Sequence, residues 1–328
     1  MIEVEAGIKG TGMYVPPKVI TNNDLVAMGL DTSDEWIQTK TGVKLRHVVE
    51  GDVCTSDLAA EAGRAALADT GVSPEDVDMI ILATSSPDVM LSSTAARTQF
   101  KLGCVNAGAF DVNSVCTGFV YALDVGARMA LDPHMDNVLV IGAETYSKIL
   151  NWKDRTTCIY FGGGAGAALL QKTDEGGVLG SYLRADGSGA EVIEVPAGGT
   201  KMPMTKEILG TGLEYFHMDG RAVWNFATVK FPEAVREVVK QSGYTLDDVD
   251  WVIPHQSNVN MIRVSMENLG MPVEKAYVNL PKYANCSGAS VPIALHEAAK
   301  DGSLKKGDLV VTCGYGGGLS WGANAIIW

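Results

Sequence analysis

Among the six cysteines of this chain, at positions 54, 104, 116, 158, 286 and 313, there is no C-x-x-C pair and no zinc-ligand spacing. A metal site and a disulfide framework are therefore not indicated, and free thiols in a reducing cytoplasm are expected. No apolar run reaches the roughly 18 residues of a membrane span, and Met-Ile-Glu-Val-Glu-Ala at the start has neither a basic n-region nor an apolar h-region. A soluble, unexported protein without a membrane partner is expected. Basic charge is also scarce: 26 Lys and Arg face 39 Asp and Glu, for a net charge of −13. That balance argues against non-specific nucleic-acid binding. No G-x-G-x-x-G occurs and no glycine loop ends in G-K-S or G-K-T, so Phe161-Gly-Gly-Gly-Ala-Gly166 is read as close strand packing rather than a phosphate loop. With 46% hydrophobic and 20% charged residues over 328 positions, the chain has ample material for a core.

What is present begins with Asp111-Val-Asn-Ser-Val-Cys116-Thr-Gly-Phe-Val-Tyr-Ala-Leu123. Ala107 to Val112 reads as a short buried strand and Phe119 to Leu131 as a helix, which puts Cys116 at the helix start. Unpaired N–H groups and the helix dipole there favour thiolate, the nucleophilic form. A buried structural cysteine is the competing reading for this segment alone.

Ser73 to Ser86 aligns with Thr245 to Asn258 at an offset of 172 residues, and the same offset carries Asn137 to Glu144 onto Leu309 to Gly316. It also brings Cys116 close to Asn285-Cys-Ser-Gly-Ala-Ser290, which precedes the helix-like stretch Val291 to Ala299. Two segments sharing one offset indicate a duplicated α/β chain, with halves at 1–172 and 173–328. Strands alternating with helical patterns imply mostly parallel sheets flanked by helices.

Other stretches supply polar chemistry. His255, one of five histidines, ends the apolar strand Val249 to Ile253 and is an active-site candidate beside a structural alternative. Asn285 is either an N-cap or a functional amide. Trp36 either packs against its own domain or anchors a partner ring, and the basic residues Lys40, Lys44 and Arg46 nearby form either a solvated surface patch or a site for a phosphate-bearing ligand. The connection between Ala143 and Phe161, with Trp152 to Arg155 inside it, is longer than its counterpart in the second half. Extra loop in one copy serves something the other copy lacks. Ala185 to His217 lacks periodicity and is expected to cover a binding site. The glycines of Cys313-Gly-Tyr-Gly-Gly-Gly-Leu-Ser-Trp-Gly322 permit close backbone approach and leave amides for an anionic oxygen.

Thr32-Ser-Asp-Glu-Trp-Ile37, Cys116-Thr-Gly, Asp154-Arg155, Pro254-His-Gln-Ser-Asn258, Asn285-Cys-Ser-Gly-Ala-Ser290 and the closing glycine-rich run occur together in this order. In them the chain resembles the β-ketoacyl-acyl-carrier-protein synthase III family of the thiolase-like superfamily, over essentially its full length. The resemblance implies an αβαβα sandwich of five layers, a homodimer, and Cys116, His255 and Asn285 as catalytic residues. It implies an oxyanion hole at the N–H groups of Cys116 and Gly317, with no cofactor and no metal. Trp36 and Arg155 would hold the CoA adenine, and Asn258 the pantetheine arm. Lys40 stands where many relatives have Arg, and Leu91 where relatives place Phe to close the acyl pocket across the dimer interface.

The reaction so implied is acylation of Cys116 by acyl-CoA, followed by decarboxylative condensation with malonyl-acyl-carrier protein. His255, neutral, and Asn285 would donate N–H groups to the developing enolate. Carrier-protein docking would fall to Arg221, Lys230 and Arg263, since two basic positions of relatives are Asn225 and Asn260 here. Two alternatives stand beside this: a secondary-metabolism relative using CoA or an unusual carrier, and a cysteine-dependent thioesterase.

Overall fold

The computed structural model describes residues 5–328. The expected opening strand from Glu3 to Met13 is found as Glu5–Tyr14, its first two positions lying outside the described residues. Five strands form the first sheet, in the order Glu5–Tyr14, Gly163–Thr173, Val138–Thr145, Met79–Ala83, Gly108–Val112. Four form the second, in the order Gly177–Ala185, Ser320–Ile327, Leu309–Gly316, Trp251–Pro254. Each sheet begins with two antiparallel pairings and then turns parallel, so the sheets are mixed rather than mostly parallel as expected from the sequence. The parallel pairings need helical crossovers, and those crossovers build the layers.

The helices Gly118–Ala130 and Ser290–Lys300 pack against strands of both sheets and form the central layer. Phe119, Val120, Leu123, Val291, Ile293 and Leu295 are buried there, as a helix covered on two sides requires. Thr55–Thr70 and Thr94–Leu102 cover the outer face of the first sheet. Gly220–Gln241 and Val259–Leu269 cover that of the second. The result is five alternating layers, with one large apolar cluster around the central helices and another under the outer helices of the second sheet.

Glycines allow the layers to approach. A Cβ at Gly166 would sit 2.6 Å from the backbone of Pro292 and Ile293 and one at Gly164 2.9 Å from Ile293 Cδ1, so these two glycines let the strand press onto the central helix. Smaller elements follow their local signals. Thr21 forms a capping box with Asp24 and starts the helix Asn22–Ala27. Ser33 caps the helix Asp34–Thr41, which ends on Gly42 at φ 85°. The connection after Val138–Thr145 runs 17 residues to Gly163, whereas Leu309–Gly316 returns into Ser320–Ile327 through residues 317–319.

Arg46 departs from its expected place in a basic surface patch. It is fully buried and donates to Ile20 O, Asn22 Oδ1 and Ile159 O at 2.7–3.2 Å. Burial lowers its pKa to about 10. The guanidinium ties three segments together rather than facing a ligand. Lys40 and Lys44 remain at the surface.

Candidate active site

Between the strand Gly108–Val112 and the central helix lies one 3-10 turn, Val115–Thr117. Val115 is at φ 47°, a conformation that β-branched residues avoid, and this sharp turn sets up Cys116 on the following residue. Cys116 is buried, with its Sγ 3.5 Å from Ser287 Oγ and facing the backbone N–H groups of Gly317 and of Cys116 itself. A Cβ at Gly316 would lie 2.6 Å from that of Cys116, so the glycine run lets the closing strand press onto the thiol. Burial pushes the Cys116 thiol up to about 12, with Glu144 adding to the rise. The N–H groups oppose this without overcoming it, so the expectation of a resting thiolate is corrected: the free site holds a thiol.

His255 follows the strand Trp251–Pro254, its N–H donating to Cys313 O at 2.7 Å. Its ring stands edge-on to Tyr315, with centroids 5.3 Å apart. Burial lowers its pKa to about 3, which keeps the imidazole neutral. Nδ1 lies 2.6 Å from Ser290 Oγ, leaving Nε2 for the cavity that His255 lines.

Asn285 is held by its backbone, which exchanges hydrogen bonds with Tyr160 O and Gly162 N–H at 2.9 and 3.0 Å. Its Oδ1 accepts from Ser287 N–H at 2.8 Å, so the amide is fixed with Nδ2 as the unspent donor.

These three side chains line one cavity. Its remaining wall is largely apolar, with Phe161, Phe216, Met218, Trp224, Met261 and Tyr315 in it. The sequence reading named none of these as wall residues, because apolar side chains from five separate segments carry no local signature. The irregular stretch 185–217 does reach the cavity, through Ile193 and Phe216.

The expected ligand-binding residues fall in different places. The Arg155 guanidinium lies 5.6 Å over the Trp36 ring and pairs with Asp31, so those two residues are neighbours at the surface. Asn258 lines the cavity and caps the helix Val259–Leu269, while its Nδ2 donates to Lys40 O at 2.9 Å. Asn260 Nδ2 donates to Thr39 O and Lys40 O, so it fastens that helix to Asp34–Thr41. Leu91 is 84% exposed and stands apart from the cavity of its own chain. Arg221 is exposed on the first turn of the helix whose Gly220, Val223 and Trp224 line the cavity. Lys230 and Arg263 are paired with Glu233 and Glu267, both at 2.6 Å. Among the described residues no group of His, Cys, Asp or Glu could hold a metal ion, and no helix is long and apolar enough to cross a membrane. All six cysteines are unpaired.

Similarity to characterised proteins agrees with this geometry. Residues 110–187 match the family described as 3-oxoacyl-[acyl-carrier-protein (ACP)] synthase III, and residues 239–328 its C-terminal region. The chain is 47% identical to the β-ketoacyl-[acyl-carrier-protein] synthase III of Caldanaerobacter subterraneus subsp. tengcongensis, over 99% of this chain and 98% of that protein. It is 42% identical to that of Clostridioides difficile, over 100% and 99%. The crystal structure of the Aquifex aeolicus synthase III superposes with a TM-score of 0.90 at 40% identity, covering 98% of this chain and 100% of that one. The Pseudomonas aeruginosa enzyme gives 0.91 at 37%, covering 99% and 98%. With a duplicated five-layer fold, a cavity shared by Cys116, His255 and Asn285, and identities of this size along its whole length, the chain belongs to the β-ketoacyl-[acyl-carrier-protein] synthase III family.

Proposed function

We propose that this protein condenses an acyl-CoA primer with malonyl-[acyl-carrier protein], releasing carbon dioxide and giving the 3-oxoacyl-carrier product that starts fatty acid synthesis. The observation that carries the reading is the convergence of Cys116, His255 and Asn285 on one largely apolar cavity. Cys116 sulfur attacks the acyl thioester, and the N–H groups of Cys116 and Gly317 receive the oxyanion. CoA thiolate leaves and the acyl chain stays on sulfur. The malonyl thioester then binds with its carbonyl toward His255 Nε2 and Asn285 Nδ2, which take up enolate charge as the carboxylate departs. The carbanion attacks the acyl-cysteine carbonyl and expels the Cys116 thiolate. No cofactor or metal enters these steps.

Trp36 and Arg155 are proposed to hold the adenine end of CoA, with Lys40 beside them and Asn258 along the pantetheine. Arg221 is positioned to meet an acidic carrier protein at the cavity mouth, helped by Lys230 and Arg263 when they exchange their intramolecular partners. The exposed Leu91 is proposed to insert into a second copy of the chain in a homodimer. The division into halves at 1–172 and 173–328 is part of the proposal, and a cytoplasmic setting fits the unpaired cysteines.

Intact-mass spectrometry after exposure to an acyl-CoA panel, with a Cys116→Ala control, tests the reading. A short acyl adduct on Cys116, discharged by malonyl-carrier protein to a 3-oxoacyl product, is expected. Loading by unusual acyl groups only, or discharge by malonyl-CoA but not the carrier, would transfer the protein to secondary metabolism. Hydrolytic loss of the adduct without malonyl thioester would make it a thioesterase.

A further inference from the structure

The cavity chemistry leaves one group unused. Glu144, the last but one residue of the strand Val138–Thr145, is an acid at the end of an otherwise apolar strand and is fully buried. Its Oε1 accepts from Ser85 Oγ at 2.8 Å, and Ser85 Oγ is 2.8 Å from Tyr146 Oη. Tyr146 Oη is 3.0 Å from Ser287 Oγ, which in turn is 3.5 Å from Cys116 Sγ. Sulfur and carboxylate are thus the two ends of an unbroken line of three hydroxyl groups. Each hydroxyl has one hydrogen, and a carboxylate only accepts. Ser287 Oγ can donate its one hydrogen to Cys116 Sγ or to Tyr146 Oη; when it donates to the nearer Tyr146, the line orients from sulfur to Glu144, with Tyr146 donating to Ser85 and Ser85 to Glu144.

Resting on the condensing function above, we infer that Glu144 stores the Cys116 proton during the acyl-enzyme stage, through the relay Ser287–Tyr146–Ser85. On acylation the S–H proton passes to Ser287 Oγ as each hydroxyl hands its own proton along, and Glu144 becomes a carboxylic acid. The S–C bond forms, the C–S bond to CoA breaks, and CoA thiolate takes a proton from solvent. On condensation the C–C bond forms and the Cys116 thiolate is expelled. The relay then runs backward, returning the proton to sulfur and the charge to Glu144. Electrons and protons balance over the cycle with no further reactant.

The neighbouring groups fit this role. His255, held neutral down to about pH 3, is too weak a base to keep the proton, whereas burial raises Glu144 to about 7. The titratable groups around Glu144 are Tyr146 on its own segment, Cys116 from the 3-10 turn and Cys286 from the segment before Ser287. Ser86 Oγ, Thr84 Oγ1 and the N–H groups of Ser85 and Gly288 also donate to it, and none of the salt bridges among the described residues includes Glu144. The carboxylate is thus stabilised by hydrogen bonds alone and accepts a proton near neutrality.

The test is the pH profile of iodoacetamide alkylation at Cys116, followed by peptide mass spectrometry from pH 5.5 to 9.5. The full-length wild type is compared with Glu144→Gln, Tyr146→Phe and Ser86→Ala, and melting curves establish that each is folded. Wild type should rise through pH about 7 and then level. Glu144→Gln and Tyr146→Phe should lose this step, fall on the order of tenfold or more at pH 7.5 and climb steadily with pH. Ser86→Ala removes a hydrogen bond to Glu144 without cutting the relay, so its step should persist, moved to higher pH. A wild-type profile in both Glu144→Gln and Tyr146→Phe overturns the relay, as does loss of the step in Ser86→Ala as complete as in Tyr146→Phe. If Glu144→Gln does not fold, Tyr146→Phe decides alone. Because alkylation needs no acyl-CoA, a wild type that fails to load acyl groups refutes the condensing function while leaving this measurement readable.

Discussion

Val115 and Ser287 stand 172 residues apart and share a positive backbone angle, φ 47° and 46°. Each opens a 3-10 turn, Val115–Thr117 and Ser287–Ala289, that feeds a central helix. The register of the sequence repeat is therefore kept to the residue in the two turns, which pack against each other. Holding non-glycine residues there costs on the order of 1–3 kcal/mol each, which the packed central layer offsets. The first copy uses its turn to present Cys116. The second puts Gly288 at the corresponding position, and the missing side chain leaves room for Glu144 Oε1, 3.2 Å from where a Cβ would be.

Gly316 packs directly against Cys116, the proposed nucleophile. A methyl group there would meet Cys116 Cβ at 2.6 Å and Sγ at 2.9 Å, with no flexible side chain able to yield. Gly316→Ala is expected to lower acylation by at least about a hundredfold, through displacement of sulfur from its N–H donors. Single-turnover acyl transfer measured by intact mass checks this, and a variant that acylates at the wild-type rate refutes it.

Asn285→Asp preserves the Oδ1 contact to Ser287 N–H but replaces the unspent donor with an acceptor. Malonyl-thioester decarboxylation should fall by roughly 10²–10³, the usual cost of removing one such donor. Acyl loading of Cys116 should persist, since the proposed oxyanion donors are the N–H groups of Cys116 and Gly317. Carbon dioxide release and acyl-adduct mass, measured on the same sample, separate the two steps.

The stability of Glu144→Gln relative to wild type should depend on pH. Burial raises Glu144 from 4.5 to about 7, so the native state binds more protons than the unfolded chain between those values. Its favourable contribution is complete below pH 4.5 and is lost as the pH rises through 7. Gln cannot ionise, so the variant should gain on wild type across this window by about 3 kcal/mol. His255 acts in the opposite sense, its lowered pKa removing stability as the pH falls from 6.5 toward 3, but it is common to both proteins and cancels in the difference. Urea unfolding at intervals from pH 4.5 to 7.5 measures that difference, and a flat result means Glu144 does not titrate there.

The repeat was readable because strands, turns and helix starts carry local composition. Cys116, His255 and Asn285 were readable as candidates because each sits where an element ends and because the family motifs surround them. Arg46 was misplaced since its neighbours in sequence are exposed while its three acceptors come from positions 20, 22 and 159. The state of the Cys116 thiol was misjudged for a similar reason. A helix N-terminus is visible in the sequence, whereas the burial that outweighs it is not. Glu144 did leave a signal, a lone carboxylate at the end of an apolar strand, and that pattern marks a residue whose charge must be managed by groups elsewhere in the chain.

Ser290 sets which nitrogen of His255 carries the hydrogen. Its single hydroxyl hydrogen has two acceptors in reach, Ser287 O at 2.9 Å and His255 Nδ1 at 2.6 Å. Ser287 O also accepts the Ser290 backbone N–H and, with two lone pairs, can take the hydroxyl as well, but the contact to the ring is the shorter of the two. Donation to Nδ1 places the ring hydrogen on Nε2, the form that can stabilise an enolate in the cavity. Without the hydroxyl, this tautomer loses its support in a site too buried for water to replace it readily. Ser290→Ala should therefore slow malonyl decarboxylation by about tenfold, the cost of one neutral hydrogen bond. Ser290→Thr, which keeps the hydroxyl, should recover most of the rate. The ¹⁵N shifts of His255 distinguish the tautomers directly, and an unchanged Nε2–H signal in Ser290→Ala would show that the ring is oriented by other means.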